Sequence, residues 1–540
     1  MKKYIAILLV LFTITITSCD LDTAPTGSVG PVDVFATTES ARMAIRGISR
    51  LMVFQYYQTN PNFSGEGQIK LFHGDWPGNA MVRDMSVWAG MFNHSLVDNP
   101  AGVQARLPWG YYYRIIGEAN AVLYNIDRAV GPEAERRHIT AQALTYRAYS
   151  FFMLSQMYSK RWMDSNNGAS RGVILRLGMG VDDIGFSTLA ETYAQIYEDL
   201  KRAIDYFEYA NQPRRGPLGG RHDININVAR AILARAALTR QDWALAAEMA
   251  PLARAGYPLM NNEAMLAGFY MPTSEWIWSS FGSTAENMHW FTYHSHFGWN
   301  SPGGWQFGHM ITRELFAQIP ETDIRRNWWQ PPVVTGFSPG NREDTVRPAG
   351  MTEAQAEAYF DQFVARIHAD GFLPHANHMQ PDGNSDRIAH YMQTKVAAGF
   401  GHPGVGHLLH IRSSEMVLVE AEARARMGQD AAAQNLLLYL NRDSGRNPSY
   451  TVTATDQALL EEIWLWRDIE LWGEGFNWFD LKRTGRPLIR VAKADGGSFL
   501  PALTLSAQPN ERNNWVFAIP NGELDFNRVA REEIESGKWD

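Results

Sequence analysis

The chain has 540 residues, 45% hydrophobic and 20% charged, with a formal net charge of −8. That length allows two or three folded domains, and that composition is ordinary for a folded soluble protein. The negative balance argues against a nucleic-acid binder, which needs a basic face. The single cysteine, Cys19, excludes an intramolecular disulfide or a cysteine-based metal site.

Lys2 and Lys3 precede an apolar run, Ile5–Ile16, too short for a comfortable membrane span and suited to a signal-peptide core. Ile16-Thr17-Ser18-Cys19 has the form of a lipobox, small residues before a cysteine that is lipidated. Residues 1–18 are therefore expected to be a lipoprotein signal peptide, Cys19 the lipidation site and 19–33 a linker. Acyl chains anchor a protein to a membrane without spanning it. No other stretch is apolar enough for long enough to cross a bilayer.

Helical periodicity starts at Val34–Tyr57, with Thr37 or Thr38 as cap and Ala41, Ala44, Ile45, Ile48, Leu51 and Met52 in one stripe. Residues 58–103 show no period and read as a long, Gly-rich, Trp-bearing loop insertion. Leu107–Val130 and Glu133–Tyr158 are the next helices, divided by Gly131-Pro132. Thr188-x-x-Glu191 is a capping box heading Leu189–Tyr209. Residues 227–240 and 242–255 form an alanine-rich hairpin of the tetratricopeptide type, with Asp242 as the expected cap of its second helix. A similar pair, Ser413–Met427 and Asp430–Leu440, lies far downstream.

Residues 261–404 lose the helical period. Ten aromatics fall between Trp276 and Phe307, where the chain average of 12% predicts about four. Arg467–Arg486, RDIELWGEGFNWFDLKRTGR, reads as helix, bend, short helix, stop, its charges spaced for a structural salt-bridge network. The tail, 486–540, is loop-like, with Trp515–Ile519 as a strand or packing arm. The fold class is mainly α: helical hairpins over 34–260 and 405–485, supporting an irregular, loop-rich ligand-binding region at 261–404.

Aromatics in loops, flanked by amides, carboxylates and arginine, are what carbohydrate recognition needs. A pyranose stacks its C–H face on a ring, and its hydroxyls need polar partners. Two sets fit: Asp75, Trp76, Asn79, Arg83 and Trp88; and Trp276, Trp290, Tyr293, Trp299 and Trp305. The histidines lack metal-site spacing, so neither a metal nor a cofactor is expected. No catalytic carboxylate pair stands out, and no GxSxG, P-loop or dinucleotide fingerprint appears in a supporting context.

Four stretches together resemble the SusD/RagB family of outer-membrane nutrient-binding lipoproteins. They are Ser18-Cys19-Asp20-Leu21-Asp22 leading into VFATTESARMAIRGI, then Ile139–Ser159, ELWGEGFNWFDLKR at Glu470–Arg483, and FAIPNGELDFN at Phe517–Asn527. The sequence departs from the family at Asn477, where a basic residue is common, and at Arg528, where proline is frequent. The resemblance implies tetratricopeptide-like hairpins carrying a ligand-binding part, and binding without catalysis at the cell surface of a Gram-negative bacterium. It also implies that a polysaccharide or oligosaccharide is passed to a SusC-like TonB-dependent transporter in the outer membrane. A glycoside hydrolase on a helical scaffold, a family member binding a peptide or other non-glycan nutrient, and a pure protein scaffold are the alternatives at this point.

Overall fold

The computed structural model describes residues 34–53, 65–83, 89–92, 97–283, 292–301, 309–329, 391–399, 404–508, 510–511 and 515–539, together with 352, 354 and 355. The signal peptide, Cys19 and the linker lie outside these residues.

Helix α1, Thr38–Leu51, begins where the Thr37 side chain accepts from the Ser40 N–H and Ser40 answers to the Thr37 backbone. Its buried stripe is Ala41, Ile45 and Ile48, over a shorter span than the periodicity suggested. Helix α2, Glu66–Ile69, runs into a π-helical turn, Lys70–Asp75, and then strand β1, Met81–Arg83. Next come α3 (Val103–Asn125), α4 (Glu133–Tyr158), α5 (Leu189–Ala210), α6 (Ile226–Arg240) and α7 (Trp243–Arg254). The middle of the chain contributes β2 (Trp276–Ser280) and β3 (His309–Ile311) between short helical turns. Strand β4 (Leu408–Arg412) leads into α8 (Ser413–Arg426), α9 (Asp430–Leu438), α10 (Asp456–Glu470) and α11 (Asn477–Thr484). The tail adds β5 (Leu488–Arg490), β6 (Leu505–Ala507) and α12 (Arg528–Glu535).

The capping box at Thr188/Glu191 forms, and Gly485 ends α11 at φ 78°, in the left-handed region. Asp242 stands at the start of α7, but its side chain makes no capping hydrogen bond there. The chain turns between α6 and α7 at Gln241, φ 68°, whose N–H bonds back to α6 carbonyls.

From α3 to α8 each helix packs on its predecessor, and α8 packs in turn on α9 and α10. The two helical groups, more than 150 residues apart in sequence, thus form one tetratricopeptide-like stack through α7 against α8. Helix α8 can join them because it is buried on every side. Met416, Val419 and Ala423 enter the apolar cluster under α1 and α3–α7, while Val417, Leu418 and Ala421 enter a second cluster under the middle of the chain, α9 and α10.

Two stretches read as loop are ordered. Every residue from Glu66 to Asp75 is buried, so no polar face marks a helical period there, and Gly67 and Gly74 mimic breakers. The tail holds β5 paired with β6, and α12. Trp515–Ile519 is a packing arm: Phe517 N–H donates to Met157 O and Ala518 N–H to Val97 O, both at 2.9 Å.

The bend between α10 and α11 locks onto the π turn. Lys70 Nζ donates to Glu474 O at 3.0 Å, Gly475 N–H to Asp75 Oδ2 at 2.8 Å, and Trp472 Nε1 to Ala80 O at 2.9 Å. Gly473 and Gly475 take φ 77° and 89°, conformations open chiefly to glycine. A Cβ on Gly74 would collide with the carbonyl group of Gly475. Backbone meets backbone here, so no side-chain rotation can relieve the contact. Gly74→Ala should therefore destabilise by about 2–3 kcal/mol, the upper range of overpacking costs. A urea midpoint equal to wild type would show that the bend can move off the π turn.

Candidate ligand-binding site

Strands β1 and β3 pair antiparallel, with Met81 opposite Ile311 and Arg83 opposite His309. The chain therefore leaves β1 toward Trp88 and returns to β3 from Trp305 at neighbouring points. A second junction lies alongside. Thr292 Oγ1 donates to Gly404 O at 3.0 Å, the Asn300 amide exchanges hydrogen bonds with Ala398 at 2.9 and 2.7 Å, and Gly282 N–H donates to His407 Nδ1 at 3.3 Å. The stretch 292–301, which carries the short helix Tyr293–Phe297, is thus stitched to both sides of 400–403. His296 and Phe297 reach from it to His309 at ring separations of 6.0 and 5.0 Å, joining the two junctions into one rim.

The floor of this rim is aromatic and cationic. Trp76 is fully buried. Phe72 and Phe92 stack on it at 4.3 and 5.2 Å, and the Arg83 guanidinium lies 4.5 Å from its ring centre. His296 and His309 approach the same indole at 5.3 and 5.8 Å. Burial, then the nearby Arg83 charge, holds both imidazoles well below their usual range, so they are neutral. Burial also lowers Arg83 itself, to about 9.

The expected residues divide into three groups. Trp76, Trp276, Tyr293 and Trp299 are core residues, with Trp76 and Trp276 at 0% exposure and Trp299 at 2%. A ring with no free face cannot stack on a sugar, so the expectation of ligand contact fails for the three tryptophans, while Tyr293 keeps 9% exposure beside a small cavity lined also by Thr292 and Gly404. Tyr293 donates its hydroxyl to Gly473 O at 2.8 Å, and Trp299 N–H donates to Val396 O at 2.9 Å. Asp75 is buried against the α10–α11 bend, and burial pushes its carboxyl up to about 7. Arg83 lies under the rim. Asn79 is half-buried, its N–H donating to Asn477 Oδ1 at 2.7 Å, at the edge of an open groove of about 410 Å³ that Glu314, Trp464, Asp468, Arg486 and Phe499 also line. Trp88, Trp290 and Trp305 lie outside the described residues. His296 and His309 were weighed from sequence only as metal ligands, and no spacing rule could have placed them beside Trp76. Among the described residues no cluster of three or more His, Cys, Asp or Glu side chains is placed to hold a metal.

The charges of Arg467–Arg486 are structural, as their spacing suggested. Asp480 bridges Arg467 (2.6 Å) and Arg483 (2.7 Å), and Arg483 forks onto Glu422 with two contacts of 2.8 Å. Burial alone would raise the Asp480 carboxyl, but Arg467 and Arg483 outweigh it and hold it below its ordinary value.

A stack of helical hairpins carrying an irregular, loop-framed half defines a tetratricopeptide-like protein. A family model described as starch-binding, associating with the outer membrane, matches residues 63–211, and the SusD family model matches 389–528. Together the two span more than half of the chain, and the protein belongs to the SusD/RagB family. Solved structures agree in fold. A SusD-like carbohydrate-binding protein from Bacteroides vulgatus is 21% identical with a TM-score of 0.71, over 92% of this chain and 98% of that one. A SusD superfamily protein from Bacteroides thetaiotaomicron is 18% identical with a TM-score of 0.69, over 92% and 99%. No curated protein matches the sequence. Among the described residues no helix is long and apolar enough to cross a membrane.

Proposed function

We propose that the protein is a lipid-anchored, cell-surface protein of the outer membrane that binds a polysaccharide or oligosaccharide and delivers it to a SusC-like TonB-dependent transporter. Family membership supports the nutrient-uptake role, and one similar structure is described as carbohydrate binding. The observation that carries the reading is the rim. The described ends of the three stretches that carry Trp88, Trp290 and Trp305, at Arg83, Thr292 and His309, all belong to it, which supports these tryptophans as the first candidates for ligand contact. Neutral histidines and a buried arginine line its floor.

Trp88→Ala, Trp290→Ala and Trp305→Ala are each expected to weaken glycan binding roughly tenfold, the loss of about 1.4 kcal/mol of ring stacking. Titration calorimetry against a panel of soluble glycans reads this directly. Unchanged affinity in all three variants would remove the rim from consideration. Chromatography of the same mixtures reads product formation, and a product lost on changing one Asp or Glu would convert the reading to a hydrolase.

A further inference from the structure

An apolar loop between α4 and α5 stands out. Leu177, Met179 and Val181 are 44, 53 and 95% exposed and alternate with Gly178 and Gly180. The loop is pinned where it leaves the fold: Asn120 Nδ2, on α3, donates to Arg176 O at 2.9 Å and Gly178 O at 3.1 Å. It is pinned again where it returns, by Asn527 Nδ2 on Ile184 O at 2.8 Å. These anchors bring two more exposed rings alongside. Tyr124, one turn beyond Asn120, is 62% exposed, and Phe526, next to Asn527, is 87% exposed. Val130, 75% exposed, follows the end of α3, and its N–H donates to Ala36 O at 2.9 Å. That bond marks where the chain enters the fold, just ahead of α1.

Monomers seldom expose large apolar residues so close together without a use for them. The entry point says what covers them. Residues 20–33 join Cys19 to Val34 and reach about 50 Å at full extension. If Cys19 carries the lipid, as the proposed function holds, the side of the fold where the chain enters is the side held near the bilayer. Tethering raises the local concentration of the patch at the lipid surface, so a few shallowly inserted side chains suffice. An acyl anchor alone lets a protein rotate on its tether, and a second apolar contact gives stable, oriented attachment. Tyr124, with the Arg128 guanidinium 5.3 Å from its ring, suits the headgroup level. Asp127, Asp182, Asp183 and Asp525 outnumber Arg128 and Arg528, so the attraction rests on apolar insertion and not on an anionic surface.

We propose that Leu177, Met179, Val181 and Phe526 insert into the lipid surface as a second membrane contact. This contact would hold the protein in one orientation on the bilayer.

The acylated protein, its only native thiol blocked by the lipid, allows single-site labelling. Val181→Cys, Phe526→Cys and, as a control on β5, Ile489→Cys would each carry an environment-sensitive fluorophore. The protein is reconstituted on phosphatidylethanolamine–phosphatidylglycerol vesicles containing spin-labelled lipid. Blue-shifted emission and quenching are expected at 181 and 526, with the signal at 489 unchanged. Aqueous emission at 181 and 526, or equal quenching at all three sites, overturns the proposal. Shielding that appears in native outer membranes but not in pure lipid also overturns it, and assigns the patch to a membrane protein. Vesicle retention of Cys19→Ser protein is measured separately, so that failure of the anchor and failure of the patch are told apart.

Discussion

Replacing Arg412 by leucine should lower the free energy of unfolding by about 3–5 kcal/mol at pH 7, the cost of breaking a buried ion network at one partner. Arg412 ends β4 at 1% exposure, and all five of its N–H donors are engaged. Nη1 reaches Glu275 Oε1 and Glu470 Oε1 at 2.6 Å each, Nη2 reaches Glu474 Oε1 at 2.8 Å and Glu470 O at 2.6 Å, and Nε reaches Glu474 Oε2 at 2.9 Å. Arg325, Arg446 and Lys395 share these carboxylates, and Asp323 completes a balance of four cations and four anions. The network ties β2, β4, α10 and the bend after α10 into one junction. Burial alone would raise Glu470 and Glu474, but the surrounding arginines, with Lys395 at Glu474, outweigh it and hold both low. Leucine leaves three buried carboxylates sharing too few cations. The Glu470 and Glu474 carboxyls, held low by this arginine, should then rise, so the deficit at pH 7 should narrow as pH falls and they take up protons. That narrowing separates lost charge from lost packing. Arg412→Lys keeps the charge but offers three donors without the planar fork, so a loss of about half that size is expected. Urea unfolding followed by tryptophan fluorescence at pH 7 and pH 5 reads all of this. A midpoint for Arg412→Leu within error of wild type would show that the other three cations suffice.

What could be read ahead of the structure follows from where physical chemistry leaves a one-dimensional mark. A helix with one wet face writes its period into the chain, which makes α5 and its Thr188/Glu191 box legible. Helices α4, α6 and α8 are buried nearly all round and are legible instead from the Gly131-Pro132 break and from alanine-rich hairpin texture. The α10–bend–α11 element is legible because glycines interrupt an apolar period. Helix α2 and the π turn are buried on every side and carry neither kind of signal. Nor could any local pattern reveal that α7 packs on α8 across the whole middle of the chain. The same reason explains the misreading of Trp76, Trp276 and Trp299. Between glycines and amides, a tryptophan in a core and one on a binding surface look alike. What separates them is whether a partner such as Phe72 or Phe92 covers the ring, which is a long-range fact.

Lowering the pH from 7 to 5 should destabilise the protein steeply, by several kcal/mol, above the range in which ordinary carboxylates titrate. Six histidines, His73, His294, His296, His309, His407 and His410, are each no more than 3% exposed. Burial is the leading cause of a lowered pKa in every case, to about 4 for His73 and His407 and about 3 for His294. Nearby cations add to it at His296, His309 and His410, which lie well below the usual range. The sign follows from the unfolded state, where a histidine binds its proton near 6.5. Between about pH 6.5 and 4 the unfolded chain holds these protons and the folded chain does not, so each such histidine removes up to about 1.4 kcal/mol per pH unit. Its contribution is fully present above pH 6.5 and is lost as pH falls toward the folded value. Three carboxyls work the other way: burial raises Glu66 and Asp199, and raises Asp75 to about 7, so folding takes up protons there as the pH drops. Six groups against three leave a net loss. Urea midpoints at half-unit steps should fall from pH 7 to pH 5, while the ring carbons of histidine-labelled protein keep neutral chemical shifts for the buried set. A flat midpoint across that window, or imidazolium shifts in the folded protein, would mean that water or a counter-ion reaches these rings and that the floor beneath the rim is not sealed.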